Sequence, residues 1–207
     1  MNKKKLLTMI LALVLIGAVG VGATLAYFTD NDKATNVVTM GHVDIKLTEE
    51  AWTYDDKGIT GVTPGQEIAK DPTITLVDGS LDAYVRIKLE VTGFEGLNNA
   101  AAYKEDVLKD LVLGEGWTKV GDYYYYAKKL TKDTPSTTAL FEKVIIPVEW
   151  TNDVANATFN ILVSAEAIQA DNFLPDGLIK NENGEISGTI TGWTLPEGHK
   201  IEEYTGQ

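Results

Sequence analysis

Between Tyr84 and Val91 the chain alternates with a period of two. Val85, Ile87, Leu89 and Val91 fall on one side, and Arg86, Lys88 and Glu90 on the other. Only an extended strand puts every second residue on one face, so the stretch reads as a strand with one buried and one solvated side. Val43, Ile45 and Leu47 repeat the pattern against Asp44, Lys46 and Thr48. Val144, Ile146, Val148 and Trp150 do so again, with Pro147 on the opposite face removing a ladder donor, as at a sheet edge or bulge. Thr158 to Ile168 reads as a longer strand carrying Phe159, Ile161, Val163, Ala165 and Ala167 on one side. Thr73 to Val77 and Asp122 to Ala127 are further strands, rich in β-branched or aromatic residues. The expected core is Val85, Ile87, Leu89, Val144, Ile146, Val148, Phe159, Ile161 and Val163.

One stretch breaks the rhythm. Asn98 to Gly116 carries Ala100, Ala101 and Ala102, then Tyr103, Val107, Leu108 and Leu111 at helical spacing, with Asn98 or Asn99 as the cap and Gly114 and Gly116 as the stop. A single helix of about three turns between many short strands describes a β-sandwich better than an alternating α/β design. Asp176-Gly177 and Asn183-Gly184 signal turns, the second inside a hairpin of Leu178–Asn181 and Glu185–Ile190. The tail after Pro196 has little to bury and reads as loosely held. No internal repeat is present.

The N-terminus sets the compartment. Lys3, Lys4 and Lys5 precede an apolar run from Leu6 to Ala23, which thins into Gly17, Gly20 and Gly22 before Thr24-Leu25-Ala26. A positive start, an apolar middle and small residues at the end are the parts of an export signal. The run is also long enough to stay in a bilayer as an anchor, the alternative to cleavage. Three glycines weaken it as a permanent helix, which favours a cut between Ala26 and Tyr27 and no permanent anchor afterwards. The resulting regions are a signal peptide at 1–26, a mature N-terminal segment at 27–40, a sandwich domain at 41–195 and a tail at 196–207.

The same junction carries a resemblance. Ala23-Thr24-Leu25-Ala26-Tyr27-Phe28-Thr29-Asp30, Ala34-Thr35-Asn36 and Gly41-His42-Val43-Asp44-Ile45-Lys46-Leu47 resemble the start of the TasA/camelysin family, which is exported through a SipW-type signal peptidase. Ala83-Tyr84-Val85-Arg86-Ile87-Lys88-Leu89, the run Tyr123-Tyr124-Tyr125-Tyr126, Trp150, and Ala165-Glu166-Ala167-Ile168-Gln169-Ala170 are similar to that family too. The resemblance implies an all-β, jelly-roll-like sandwich, secreted to the extracellular matrix or cell surface of a Gram-positive bacterium, with the signal peptidase as partner during export.

Composition limits the chemistry. There is no cysteine, so neither a disulfide framework nor a thiolate zinc site is available. After cleavage 15 basic residues face 30 acidic ones, which disfavours nucleic acid and anionic membranes as partners. A zinc protease of the usual kind needs two histidines one helical turn apart with a glutamate between them. Here His42 and His199 stand far apart in sequence. No Gly-x-Ser-x-Gly elbow surrounds Ser80, Ser136, Ser164 or Ser187, and no phosphate loop appears. Asp30 with Asp32, Asp55 with Asp56, and the Asn181–Glu185 cluster do not follow the ligand spacing of a calcium loop. No enzyme, cofactor or metal residue is expected.

Two functional readings remain ahead of a camelysin-like metalloprotease. Trp117 and two outward members of the Tyr123–Tyr126 run would form a sugar-binding platform on a monomeric surface domain. In fibre-forming members of the family the mature N-terminal segment completes the sheet of the next subunit. Here that segment offers Tyr27, Phe28, Ala34, Val37 and Val38 as inserts, and head-to-tail addition of this kind makes open filaments. Its alternative is an ordinary first strand within its own domain. Intact-mass analysis of exported protein should give a chain beginning at Tyr27. A species retaining Met1 to Ala26 would make the protein membrane-anchored and end the secreted reading.

Overall fold

In chain order the strands are β1 (Ile45–Thr48), β2 (Glu67–Ala69), β3 (Thr73–Leu76), β4 (Ala83–Gly93), β5 (Trp117–Val120), β6 (Tyr123–Tyr126), β7 (Lys143–Ile145), β8 (Phe159–Gln169), β9 (Asp176–Lys180), β10 (Ile186–Gly192) and β11 (Glu202–Thr205). Among the described residues one α-helix, α1 (Ala100–Lys109), links β4 to β5. This computed structural model describes residues 41–54, 58–171, 173–195, 197 and 201–205. The signal peptide, its cleavage residues Ala26 and Tyr27, and the segment holding Phe28, Ala34, Val37 and Val38 lie outside the described residues.

The two longest alternating stretches become the two longest strands. β4 and β8 pair antiparallel over 11 residues each, from Ala83 opposite Gln169 to Gly93 opposite Phe159. They form the centre of a five-stranded sheet in the order β11-β8-β4-β6-β5. Gly93 ends β4 at φ 103°, and a Cβ there would run into the Thr158 carbonyl oxygen, so only glycine lets the strands stay this close. The opposite layer comes from two short ladders, β1 with β3 and β2 with β7. The 135–140 stretch runs along β3 on its way to β7, with Leu76 N–H on the Pro135 carbonyl at 2.8 Å, Thr137 N–H on Ile74 at 2.9 Å and Leu140 N–H on Pro72 at 2.8 Å.

Between the layers lies the main core: Val85, Ile87 and Leu89 of β4, Val163, Ala165 and Ala167 of β8, and Tyr124 and Tyr126 of β6, against Ile45, Ile68, Ile74 and Val144. The all-β sandwich with one short helix is therefore present as expected. Its far side is not simply solvated. Tyr84, Tyr125 and Ile168, on the other face of the same sheet, form a second cluster with Phe173, Leu178 and Ile190. The last two belong to the β9–β10 hairpin, which turns at Asn183-Gly184 with Gly184 at φ 85°.

Several expectations need correction. The strand predicted through Trp150 stops at Ile145, because the chain turns at Pro147, whose carbonyl accepts from Trp150 N–H at 3.3 Å. Val148 then sits on the turn, 74% exposed, outside the core. Phe159 and Ile161 are only half-buried. Asn99 does occupy the N-cap of α1, but at φ 65° and without a side-chain capping bond. The stretch read as a loose tail carries β11, which pairs with Ser164–Ala167 of β8, and Tyr204 donates its hydroxyl to the Val43 carbonyl at 3.2 Å.

Ile146 and Val148 are two residues apart and were expected on one buried face; Ile146 is buried as expected, at 3% exposed, and only Val148 is not. Ile146→Ala should lower unfolding free energy by about 2–5 kcal/mol in urea titrations. Val148→Ala should change it by less than about 0.5 kcal/mol. Equal losses would mean that the strand runs on through Pro147.

Candidate functional site

The three central strands bring distant charged and aromatic side chains to one spot. In the β4–β8 register Arg86 lies opposite Glu166, and in the β4–β6 register it lies opposite Tyr125. Arg86 Nε donates to Glu166 Oε2 at 2.7 Å, Nη2 approaches the same oxygen at 2.5 Å, and Nη1 donates to the Tyr125 hydroxyl at 3.1 Å. The guanidinium lies 3.8 Å from the Tyr123 ring centre and 4.6 Å from that of Trp193. Both charged side chains are nearly buried, at 11% and 12% exposed. Burial first, and then the Glu166 charge, raise the Tyr123 phenol above its ordinary value, while Arg86 opposes them.

This arrangement corrects the expected solvated side of β4, where Arg86 was grouped with Lys88 and Glu90. Lys88 and Glu90 are exposed, but Arg86 is covered. Trp193 supplies part of the cover, and no local pattern around it in the sequence announced this role. Chemically the cluster is a clamp: a cation held by a carboxylate, a phenol and two aromatic faces has its donors engaged. It contains no histidine, and Glu166 acts on the neighbouring Tyr123 phenol as well as on Arg86.

The proposed aromatic platform is dismantled. Tyr124 and Tyr126 point into the main core, Tyr125 into the second cluster, and Tyr123 covers Arg86. Trp117 is buried, and its indole N–H donates to the Thr138 carbonyl at 3.0 Å. A second buried pair joins Lys70 Nζ to Glu49 Oε2 at 2.7 Å, with Lys70 5.2 Å from the Trp52 ring centre. His42 is exposed just before β1, and His199 lies outside the described residues. Among the described residues no three His, Cys, Asp or Glu side chains gather as metal ligands.

Open backbone edges are the other notable feature. Ala83 exchanges both main-chain bonds with Leu130, at 2.8 and 3.1 Å, so the odd-numbered residues of β4 face the β6 side. β6 pairs only with Arg86–Lys88, which leaves the main-chain groups of Leu89 and Val91 beyond its end without a strand partner among the described residues. Beside this edge lies a cleft of about 390 Å³ floored by Leu89, Leu108 and Tyr124 and rimmed by Lys88, Glu90, Lys119 and Asp122. Among the described residues β8 has an open stretch too, since β11 reaches only Ser164–Ala167. None of the described helices is long and apolar enough to cross a membrane.

No curated protein and no solved structure matches the chain. A family match does exist, to the camelysin metallo-endopeptidases, and it spans residues 1–161. It covers the export junction, the opposite layer, β4 and the tyrosine strand, and stops early in β8, before Glu166 and the β9–β10 hairpin. Spanning well over half of the chain, from the signal-like N-terminus through most of the sandwich, this match establishes that the chain belongs to the camelysin (TasA/camelysin) family.

Proposed function

We propose that this chain is a secreted, non-catalytic structural protein, a subunit of an extracellular matrix or surface fibre that assembles by N-terminal strand donation. Family membership supports export, with a SipW-type signal peptidase cutting between Ala26 and Tyr27. The observation that carries the assembly reading is the open edge of β4 at Leu89 and Val91 with the cleft beside it. An unpaired edge accepts an extended segment through main-chain bonds, and an adjoining apolar pocket selects its side chains. The segment from Tyr27 to Met40 supplies aromatic and β-branched inserts of suitable size at Tyr27, Phe28, Val37 and Val38, with Ala34 as a small one.

The family's description as metallo-endopeptidases supports a second reading, a metal-dependent protease. The described residues do not fit a zinc centre, since they bring no three ligand side chains together and His42 stands alone before β1. A monomeric polysaccharide-binding domain loses its main support, because the aromatic residues that would form its platform are built into the cores.

Purified protein beginning at Tyr27 should form filaments visible by electron microscopy without added ligand. Deleting Tyr27 to Val38 should leave a folded domain that does not elongate. Phe28→Ala should weaken assembly more than Asn36→Ala, by on the order of 2 kcal/mol, because aromatic anchors dominate small interfaces. A peptide spanning Tyr27 to Met40 should slow growth in light scattering. Filaments growing equally well from the truncated protein would exclude strand donation. Chelator-sensitive cleavage of a protein substrate would instead favour the second reading.

A further inference from the structure

We infer that β8 presents a self-complementary edge through which two copies of this chain pair antiparallel, about a two-fold axis at Ile161. The orientation of its backbone follows from two bonds. Phe94 N–H donates to the Thr158 carbonyl at 3.0 Å and Ala170 N–H to Asp82 at 2.8 Å, so even-numbered positions along this stretch face β4. The N–H and C=O groups of Phe159, Ile161 and Val163 therefore point the other way. β11 covers only Ser164–Ala167, and no turn or loop bond among the described residues reaches these three.

The sequence of this edge is unusual for an exposed strand. Natural sheets blunt such edges with lysine, proline, inward charges or a covering segment. From Val154 to Ala165 there are 12 successive residues without a charge or a proline, in a mature chain carrying 30 acidic and 15 basic residues. Leu162 is 49% exposed on the outer face, beside exposed Asn160. Other edges of the five-stranded sheet carry charge: Lys119 on β5, Glu202 and Glu203 on β11, and Glu90 on the open end of β4. β10 is also uncharged, but it contains Gly188 and Gly192 with a register shift between them, which weakens it as a template.

The partner is a second copy because the edge fits itself. Net-acidic molecules repel, so contact is favoured where neither brings a charge. Antiparallel pairing at Ile161 sets Phe159 opposite Val163 and Asn160 opposite Leu162, and brings together strand-forming residues on both sides. Reciprocal main-chain bonds at the odd positions would join the two five-stranded sheets into one. Such a contact closes on itself and is distinct from head-to-tail strand donation, so it stands or falls separately from that reading.

The cysteine-free chain permits a register-specific test in the full exported protein. Asn160 and Leu162 would form a non-hydrogen-bonded cross-strand pair, with Cα atoms about 4.5 Å apart, close enough for a disulfide. Mixing Asn160→Cys protein with Leu162→Cys protein under mild oxidation should give cross-linked dimer at least about tenfold faster than either alone. It should also outpace mixtures with Val148→Cys, which places a thiol on a distant exposed turn. In sedimentation, Asn160→Lys combined with Leu162→Lys should weaken dimer formation at least about tenfold with an unchanged melting temperature. Cross-linking no faster than the Val148→Cys control would overturn the inference. So would loss of the cross-link on adding a Tyr27–Met40 peptide, which would assign this edge to the N-terminal segment.

Discussion

Everything described in this molecule hangs on the full-length pairing of β4 with β8. Its 11 paired positions join residues about 75 apart in sequence, so the ladder forms only after the helix and the β5–β6 hairpin have been looped out. Long-range antiparallel pairing of this kind is slow to form because loop closure precedes any gain. Once made, it presents two faces at a fixed register, and both are used. Ala165 and Ala167 are fully buried opposite Ile87 and Val85, where their small side chains leave room for the larger β4 residues and the opposite layer to pack close.

The second face explains why a charge lies inside an otherwise apolar sheet. Arg86 is fixed by register beside Glu166, and the hairpin with its following Trp193 closes over the pair. A buried ion pair is poor evidence for stability, since desolvation offsets much of the attraction. Removing one partner is another matter, because it strands the other charge and typically costs about 3–5 kcal/mol. The clamp therefore acts mainly as a specification: it favours the placement of the β9–β10 hairpin that lays the face of Trp193 on the guanidinium. The β9–β10 hairpin that supplies this cover lies beyond the family match.

Strands with strict alternation were legible from the sequence, because a period of two needs nothing beyond local order. β4, β8, β3 and β6 fall within one or two residues of their expected ends. What failed was anything decided by a distant segment. Arg86 shares its alternating side with Lys88 and Glu90, and residues distant in sequence, Tyr123 and Trp193 among them, determine that it alone is covered. Val148 keeps the rhythm of Val144 and Ile146, yet Pro147 had already turned the chain. The tyrosine run was correctly divided between two faces, but the second face was taken for surface because its cover has no local signature. β11 is too short and too charged to be recognised without the β8 edge that orders it. The residues of the proposed donor segment, Tyr27 to Val38, fall outside the described part of the chain, so the sequence alone speaks for them.

The unequal lengths of the strands connect fold to assembly. Among the described residues β4 and β8 outrun both of their neighbours, since β6 stops opposite Lys88 and β11 opposite Ser164, which leaves a two-stranded projection with an open edge on each side. The two edges differ in chemistry. The β4 side carries Glu90 beside a cleft rimmed by both signs of charge, which suits selective capture of a particular segment. The β8 side is uncharged, and reversed on itself it sets Phe159 opposite Val163 about Ile161, which suits closure by a second copy. An open, head-to-tail contact extends a filament without limit, whereas a two-fold contact stops after one partner. Combined on one projection, the first would set length and the second would join filaments in pairs. Under these two proposals the same few residues of overhang would provide both the direction of growth and its lateral limit.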